Sequence, residues 1–436
     1  MTASYTTDGN VAAQKLVAVT ITAGVGGVTR LRSRLSAALA GTGPAIVPVP
    51  DGPSQVVRDI LESIRPDDDE FPLELRDVVL VCATSGSTGT PRGTLLTHSA
   101  LQASAVAFGK RFGTNSRWVL AMPAHRIAGL MVLVRAHFHN SPVIVDPSIA
   151  GARPFSAATF SATTSQAVRA SKIDGRQLFV SLVPTQIARL IESGSVGIEA
   201  LQAYDVVLSG AASTPQPLLD TLRQYGINVV VSYGMSETCG GCVFDGMPLD
   251  GVQVSIASDD DAQPGRISIS GPVIASGYRL RPDLDSLTFI NNRVVTQDVG
   301  ALDSAGFIHI LGRLDDIVTV GGVNVALSAV ESAIRHHHMI KDVAVIDIAD
   351  QLWGSLPLAY VVLRQPESTT EQGLVTLTHE IQTTVANRIG RAATPRTINF
   401  VEQLPMLDSG KVDRLTLRLQ ASRDIEQGRA QHPGSV

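Results

Sequence analysis

The sequence predicts an α/β protein with a large N-terminal domain of α/β layers, a β-rich subdomain and a small α+β domain at the C-terminal end. Three observations carry that expectation. From 78 to 250, short apolar runs alternate with stretches of helical spacing, the pattern of a largely parallel sheet with helices on its faces. From about 251 to 312 the runs become short and strand-like, separated by turns. After Gly312-Arg-Leu-Asp-Asp316 a fresh series of strands and helices begins, about 120 residues long and so close to a common domain size. The expected division is 1–312, with the β-rich part at about 251–312, and 313–436.

The elements follow in order. Residues 1–15 are polar and are expected to lack fixed structure. Leu16 to Val28 is the longest early apolar candidate, and its glycines favour a strand and a turn. Ser54 precedes apolar positions at helical spacing through Ile64 and reads as a cap. Arg65 to Glu70 is an acidic turn. Val78-Val-Leu-Val-Cys-Ala83 reads as a buried strand, and helices are expected at 97–110, 126–138, 185–192 and 215–225. Strands are expected at 118–122, 141–145, 179–183, 206–208 and 229–231. In the last unit a strand (317–320) leads through a Gly-Gly turn to a helix from Ser328. Two strands, a helix at 371–389 and a strand near Ile398 complete it. Gln420 to Val436 is polar and is expected to fray.

Composition narrows the function. The chain has 436 residues, 44% apolar and 17% charged, which suits a globular protein with a large core. A net charge of −5 argues against a nucleic-acid binder. No run reaches the roughly 18 apolar residues of a membrane span. The N-terminus shows no basic segment before an apolar core, so no signal peptide is expected and a cytoplasmic location is. Three cysteines cannot make a disulfide framework. Cys239 and Cys242 form a Cys-Gly-Gly-Cys, but no second ligand pair exists to complete a zinc site, so reduced thiols are expected. His336-His-His338 reads as an exposed helix end rather than a metal site.

The most informative stretch is Thr84-Ser-Gly-Ser-Thr-Gly-Thr-Pro-Arg-Gly93. Glycines let a backbone approach a phosphate, whose oxygens then accept from N–H groups and hydroxyls. Thr84, Ser85, Gly86, Ser87, Thr88 and Gly89 are candidates for that role, and Arg92 adds positive charge. The loop lacks the Gly-Lys-Ser/Thr of a Walker A motif. Downstream, Ser209, Gly210 and Ala211 follow a strand with side chains small enough to admit a flat ring. Ser232-Tyr-Gly-Met-Ser-Glu-Thr-Cys239 offers an aromatic face at Tyr233, a flexible Gly234, a carboxylate at Glu237 and a hydroxyl at Thr238. A carboxylate near phosphates suggests Mg²⁺, which prefers oxygen ligands. Asp298 could bind ribose hydroxyls. Gly312-Arg313-Leu-Asp315, Gly321-Gly322 and Ser409-Gly-Lys411-Val-Asp-Arg414 come last. The order of these motifs argues against coincidence.

Taken together, residues 75–420 resemble the adenylate-forming superfamily of acyl-CoA synthetases, adenylation domains and luciferases. Pro123-Ala-His-Arg-Ile-Ala-Gly-Leu-Met-Val-Leu-Val-Arg135 and Ser236-Glu-Thr-Cys-Gly-Gly-Cys-Val-Phe-Asp-Gly246 are similar to the actinobacterial 2-succinylbenzoate–CoA ligases of menaquinone biosynthesis. The chain is shorter than most of the superfamily, which favours free coenzyme A over a carrier protein as acceptor. The resemblance implies ATP and coenzyme A as co-substrates, Mg²⁺ through Glu237, and adenylation of a carboxylic acid followed by thioester formation. It implies that Thr238 binds the α-phosphate and that Asp298 and Arg313 hold the ribose. Lys411 would span the carboxylate and α-phosphate oxygens. A hinge at Asp315 would then let a mobile C-terminal domain withdraw Lys411 and bring the Gly321-Gly322 turn to the thiol's path. A homodimer stays open.

For the acid, His125 and Arg135 are the expected contacts. A spectator carboxylate needs a paired cation, and Arg135 stands in an apolar run. It is either a snorkelling surface residue or that partner, and the partner is the reading adopted, so Arg135→Ala should lose the diacid but keep the ATP site. Two departures from the superfamily pattern stand out. Arg92 replaces the usual lysine of the phosphate loop, a change of geometry at constant charge. Arg126 adds a cation beside His125. The rival readings are a ligase for a fatty or aromatic acid and a non-catalytic nucleotide-binding module.

Overall fold

The computed structural model describes residues 15–85, 91–149, 154–257, 264–350, 352–366, 370–406 and 412–426. It is mixed α/β, with four sheets among those residues. The first sheet runs Leu16–Ile21, Ala45–Pro50, Val78–Ser85, Pro91–Thr97. Its first three strands are parallel, and the fourth is antiparallel to the third. The early apolar stretch is a strand followed by a helix, Val25–Leu39, and not a strand and a turn. Gly27 sits inside that helix because a Cβ there would lie 2.0 Å from the Thr22 carbonyl oxygen.

The central sheet has seven strands. Val143–Val145, Ser116–Leu120, Gln177–Leu182, Val206–Ser209 and Val229–Met235 are parallel neighbours, and Gly240–Phe244 and Met247–Pro248 close it antiparallel. All five parallel strands point their C-terminal ends the same way, the edge where ligands of such sheets sit. Helix His98–Phe112 is capped by Thr97, whose Oγ1 accepts from the Ala100 N–H at 3.1 Å. Helix Gln55–Ile64 is capped likewise by Ser54. Helix Ile127–Phe138 packs on the Gly240–Phe244 strand. A Cβ on Gly240 would meet Ile127 and Met131, which fixes the 127/131/135 face against that strand.

The third sheet is antiparallel throughout and contains Gln253–Ala257, Gly265–Ser270, Arg293–Leu302, Phe289–Ile290 and Ile308–Arg313. The fourth contains Val323–Ala326, Ile317–Val320, Gly354–Leu363, Ile340–Asp350 and Thr397–Phe400, with helices Leu327–Arg335 and Glu371–Arg388. It has its own apolar core, built around Val330, Ile334, Val343, Val345, Val361, Ile381 and Val385. The tail differs from expectation. Residues 414–426 form a helix, with Leu417 and Ala421 buried and Arg418 bound to Asp347 at 2.7 Å. A polar stretch is held there by two apolar contacts one turn apart. Residues 1–14 and 427–436 lie outside the described residues. No helix among the described residues is long and apolar enough to cross a membrane.

Candidate active site

The C-terminal edge of the central sheet supplies the floor. Ser209 is buried, with Oγ 2.8 Å from Thr214 Oγ1. Gly210 donates to the Leu182 carbonyl and faces Ser232. Ala211 is exposed at φ 65°, a conformation that costs a non-glycine residue about 1–2 kcal/mol. This small-residue turn opens to solvent.

Tyr233, near the end of its strand, lies beside a carboxylate. Its hydroxyl donates to Asp298 Oδ2 at 2.6 Å, and Arg313 Nη1 lies 3.5 Å from Asp298 Oδ1. Asp298 and Arg313 are register partners on neighbouring strands, so the sheet itself sets their spacing. Burial, and then the charge of Asp298, push the Tyr233 hydroxyl well above its ordinary pKa. Tyr233 therefore stays a donor at any physiological pH.

Glu237 lies in the tight turn Ser236–Thr238 between two antiparallel strands. Gly234 makes that turn possible, because a Cβ there would lie 2.1 Å from the Gly240 carbonyl oxygen. The Glu237 Oε1 accepts from the Tyr278 hydroxyl at 2.5 Å. Arg92, paired in register with Thr84, places its guanidinium carbon 5.9 Å from the centre of the Tyr278 ring. The buried Arg92 Nε has no hydrogen-bond partner. A guanidinium with one unpaired N–H and a half-buried carboxylate, both set against Tyr278, suit a polyanion with its counter-cation.

Thr238 is placed differently from its expected role. It is fully buried, its Oγ1 accepts from the Met235 N–H at 3.0 Å and lies 2.8 Å from the Gly240 carbonyl oxygen. Its hydroxyl is spent fastening the turn. Ser236, which the sequence reading passed over, is buried too, but its hydroxyl makes only a weak bond, donating to Cys82 Sγ at 3.6 Å on the phosphate-loop strand. The missed signal was its position directly before Glu237, where a hydroxyl and a carboxylate leave the same strand end.

His125 lies in the turn before helix Ile127–Phe138, with its pKa lowered to about 4 by burial and then by Arg126. At neutral pH it is an uncharged imidazole, able to donate or accept but not to pair with a carboxylate. Arg126 occupies the N-cap position of the same helix without making a side-chain cap bond; the first turn holds no acidic residue, and the Arg126 Nε is buried without a partner. Its charge also reaches Cys82, as does that of Glu237. Arg126 thus belongs to the same neighbourhood as the phosphate-loop strand.

Arg135 is not brought there. It lies two helical turns farther along the same helix face, about 12 Å up the axis at 1.5 Å per residue. Its guanidinium carbon sits 4.1 Å from the Phe108 ring centre, 5.9 Å from Trp118 and 6.0 Å from Phe244. It is 4% exposed, and desolvation lowers its pKa to about 9. The expected contact with a spectator carboxylate gives way to a third arrangement, a cation boxed by aromatic rings. Those rings come from three separate elements, so no local pattern announces it.

Gly321 and Gly322 form a turn with φ 55° and 85° in the C-terminal sheet, and the Trp353 ring covers Gly321. His336 ends its helix and is exposed, as expected, whereas His337 is half-buried and meets Glu380 at 3.1 Å. Among the described residues no cluster of His, Cys, Asp and Glu could hold a metal by itself. Gly86, Ser87, Thr88, Gly89 and Lys411, and the side chains of Ser85 and Asp315, lie outside the described residues.

Residues 17–279 match the AMP-binding enzyme family, and residues 329–411 match the AMP-binding enzyme C-terminal domain. A protein of Mycobacterium tuberculosis described as "Probable 2-succinylbenzoate--CoA ligase" is 36% identical over 398 residues, 90% of this chain and 95% of that one. A 2-succinylbenzoate–CoA ligase of Geobacillus is 27% identical, over 78% of this chain and 69% of its own. Among solved structures, o-succinylbenzoate CoA synthetase from Bacillus subtilis with its acyl-adenylate intermediate superposes with a TM-score of 0.71. It is 22% identical, covering 94% of this chain and 89% of that one. ATP-bound MatB from Rhodopseudomonas palustris gives 0.77 at 20% identity, over 95% and 90%. These likenesses establish the fold, a large N-terminal part and a small C-terminal one.

Proposed function

The chain belongs to the AMP-binding enzyme family, and from that premise we propose that it is an AMP-forming acid–thiol ligase acting on 2-succinylbenzoate. It adenylates the acid with release of pyrophosphate and passes the acyl group to coenzyme A, a step of menaquinone biosynthesis. The observation that carries the substrate is the 36% identity, over nearly the full length of both chains, to a protein described with that activity.

The residues divide the work. A carboxylate is a poor acyl donor because oxide leaves badly, and joining it to AMP supplies a good leaving group. The first step sets an anionic acid against an anionic phosphate, so it needs cations and N–H donors where charge gathers. The 84–89 segment and Arg92 hold the β- and γ-phosphates. Ser236 reaches the α-phosphate, while Thr238 keeps the turn. Magnesium, held through Glu237, neutralises phosphate charge when bound. Tyr233 gives the adenine a face, and Asp298 with Arg313 takes the ribose. Lys411 supplies the point charge between acid and α-phosphate.

For the second carboxylate of the acid, Arg126 is the partner. It stands at an uncapped helix start with an unsatisfied Nε, and neutral His125 beside it donates a hydrogen bond. Residues 1–312 and 313–436 act as two units about Asp315, and the Gly321-Gly322 turn lines the pantetheine path. The three buried, free cysteines suit a reducing cytoplasm.

Acid-dependent exchange of labelled pyrophosphate into ATP across a panel of acids tests the whole reading. Exchange with 2-succinylbenzoate is expected. Exchange only with fatty or simple aromatic acids would replace the substrate, and no exchange with any acid would leave a binding module. Lys411→Ala should lose adenylation yet still turn supplied acyl-adenylate into thioester.

A further inference from the structure

One buried side chain beside Glu237 has no place in the mechanism so far. Tyr278 is 3% exposed, and its hydroxyl donates to Glu237 Oε1 at 2.5 Å. The segment carrying it is strapped to the strand that leaves the phosphate loop. The Leu95 N–H donates to Gly277 O at 2.9 Å, the Ser276 N–H to Leu95 O at 3.0 Å and the Arg279 N–H to Gly93 O at 2.7 Å. Thr94 and Tyr278 form an antiparallel bridge. The other end of the strap grips the Glu237 turn, where the Ala275 N–H donates to Glu237 O at 2.9 Å. Arg279 anchors it from below by pairing with Glu74 at 2.9 Å and bonding the Ile64, Pro72 and Phe71 carbonyls. The Tyr278 ring is wedged between Phe289, 5.3 Å away edge-on, and Arg92.

We propose that Tyr278 is a positioning residue that aims the Glu237 carboxylate and ties its orientation to the strand carrying Arg92. Holding Oε1 leaves Oε2 as the oxygen presented to a ligand. The hydroxyl cannot wander, because its backbone is paired on one side and its ring is packed on the other. Outer partners of metal-binding carboxylates commonly set metal affinity by about 10–100-fold. The inference rests on the reading of Glu237 as the metal-binding carboxylate, and the test separates the two.

Mn²⁺ binding to the protein with α,β-methylene-ATP, followed by electron paramagnetic resonance, is the readout, alongside the thermal midpoint. Tyr278→Phe keeps the ring and removes one oxygen. We expect its Mn²⁺ Kd to rise about 10-fold or more, with the metal-free nucleotide affinity unchanged. Glu237→Gln should weaken Mn²⁺ further, and adding Tyr278→Phe to it should cost nothing more. Should Glu237→Gln weaken Mn²⁺ while Tyr278→Phe does not, the positioning role is wrong and the reading of Glu237 stands. Should neither change move Mn²⁺, the metal role of Glu237 fails, and the proposal with it. A fall in metal-free nucleotide affinity as large as the Mn²⁺ effect would also overturn the proposal, since it marks general damage.

Discussion

His125 titrates far below a free imidazole, at about 4 against 6.5, because burial and Arg126 both oppose a second proton. Between those values the unfolded chain binds that proton and the folded chain does not. Stability is therefore whole above about pH 6.5 and is lost as pH falls toward 4. Urea midpoints at pH 7, 5.5 and 4.5 should show a smaller decline in His125→Asn than in the native chain. His137 and His139 are depressed in the same direction, so the comparison between chains isolates His125. Tyr233→Phe removes a hydrogen bond to a buried carboxylate, a loss of about 1.5–3 kcal/mol for bonds to charged groups. Calorimetric ATP binding should weaken roughly tenfold or more. Arg135 poses a contest of magnitudes. Close cation–π contact returns up to about 2 kcal/mol when desolvated, whereas an ion without a counter-charge loses several kcal/mol on burial. Burial wins. Arg135→Met, whose thioether also packs well on aromatic rings, should keep or raise the thermal midpoint and leave the acid's KM unchanged. A marked rise in that KM would return Arg135 to the acid pocket.

At the scale of the element, the turn between Val229–Met235 and Gly240–Phe244 has the least tolerance. A Cβ on Gly234 would press on backbone from two residues across the hairpin, and backbone cannot rotate away. Gly234→Ala should cost about 2–4 kcal/mol in urea unfolding, and adenylation should fall with it because Glu237 rides on that turn. Elements were legible where sequence carries both a start signal and a period. Ser54 and Thr97 stand directly before apolar residues at helical spacing, and both helices begin there. The helix Ala157–Asp174 was not legible, because its buried face is Phe160, Thr163, Thr164 and Ala167. Two threonines on an inner face erase the apolar stripe, and their hydroxyls bond within the fold, Thr163 to Asp146 and Thr164 to Tyr204. The candidate site divides in the same way. Tyr233, Glu237, Asp298 and Arg92 could be picked from motifs because their chemistry is local. Tyr278 could not, since its value comes from lying against a residue 41 positions away.

At the scale of the whole molecule, the two largest apolar cores fall on either side of one break in the chain. One gathers residues from Val19 to Ile308, the other from Val318 to Ala393, and the break falls at the Gly312–Asp316 segment. Such a break was readable as a change of pattern, but which way the smaller part faces is not written in any motif. The two tryptophans happen to be shared out across that break. Trp118 is fully enclosed, while Trp353 is 38% exposed and lies on the Gly321 turn. The chain therefore carries its own optical gauge. With Trp118→Phe the remaining emission comes from one indole at the turn proposed to meet the thiol. A blue shift on adding coenzyme A to the adenylate-loaded protein would register that indole leaving water, without any dye attached.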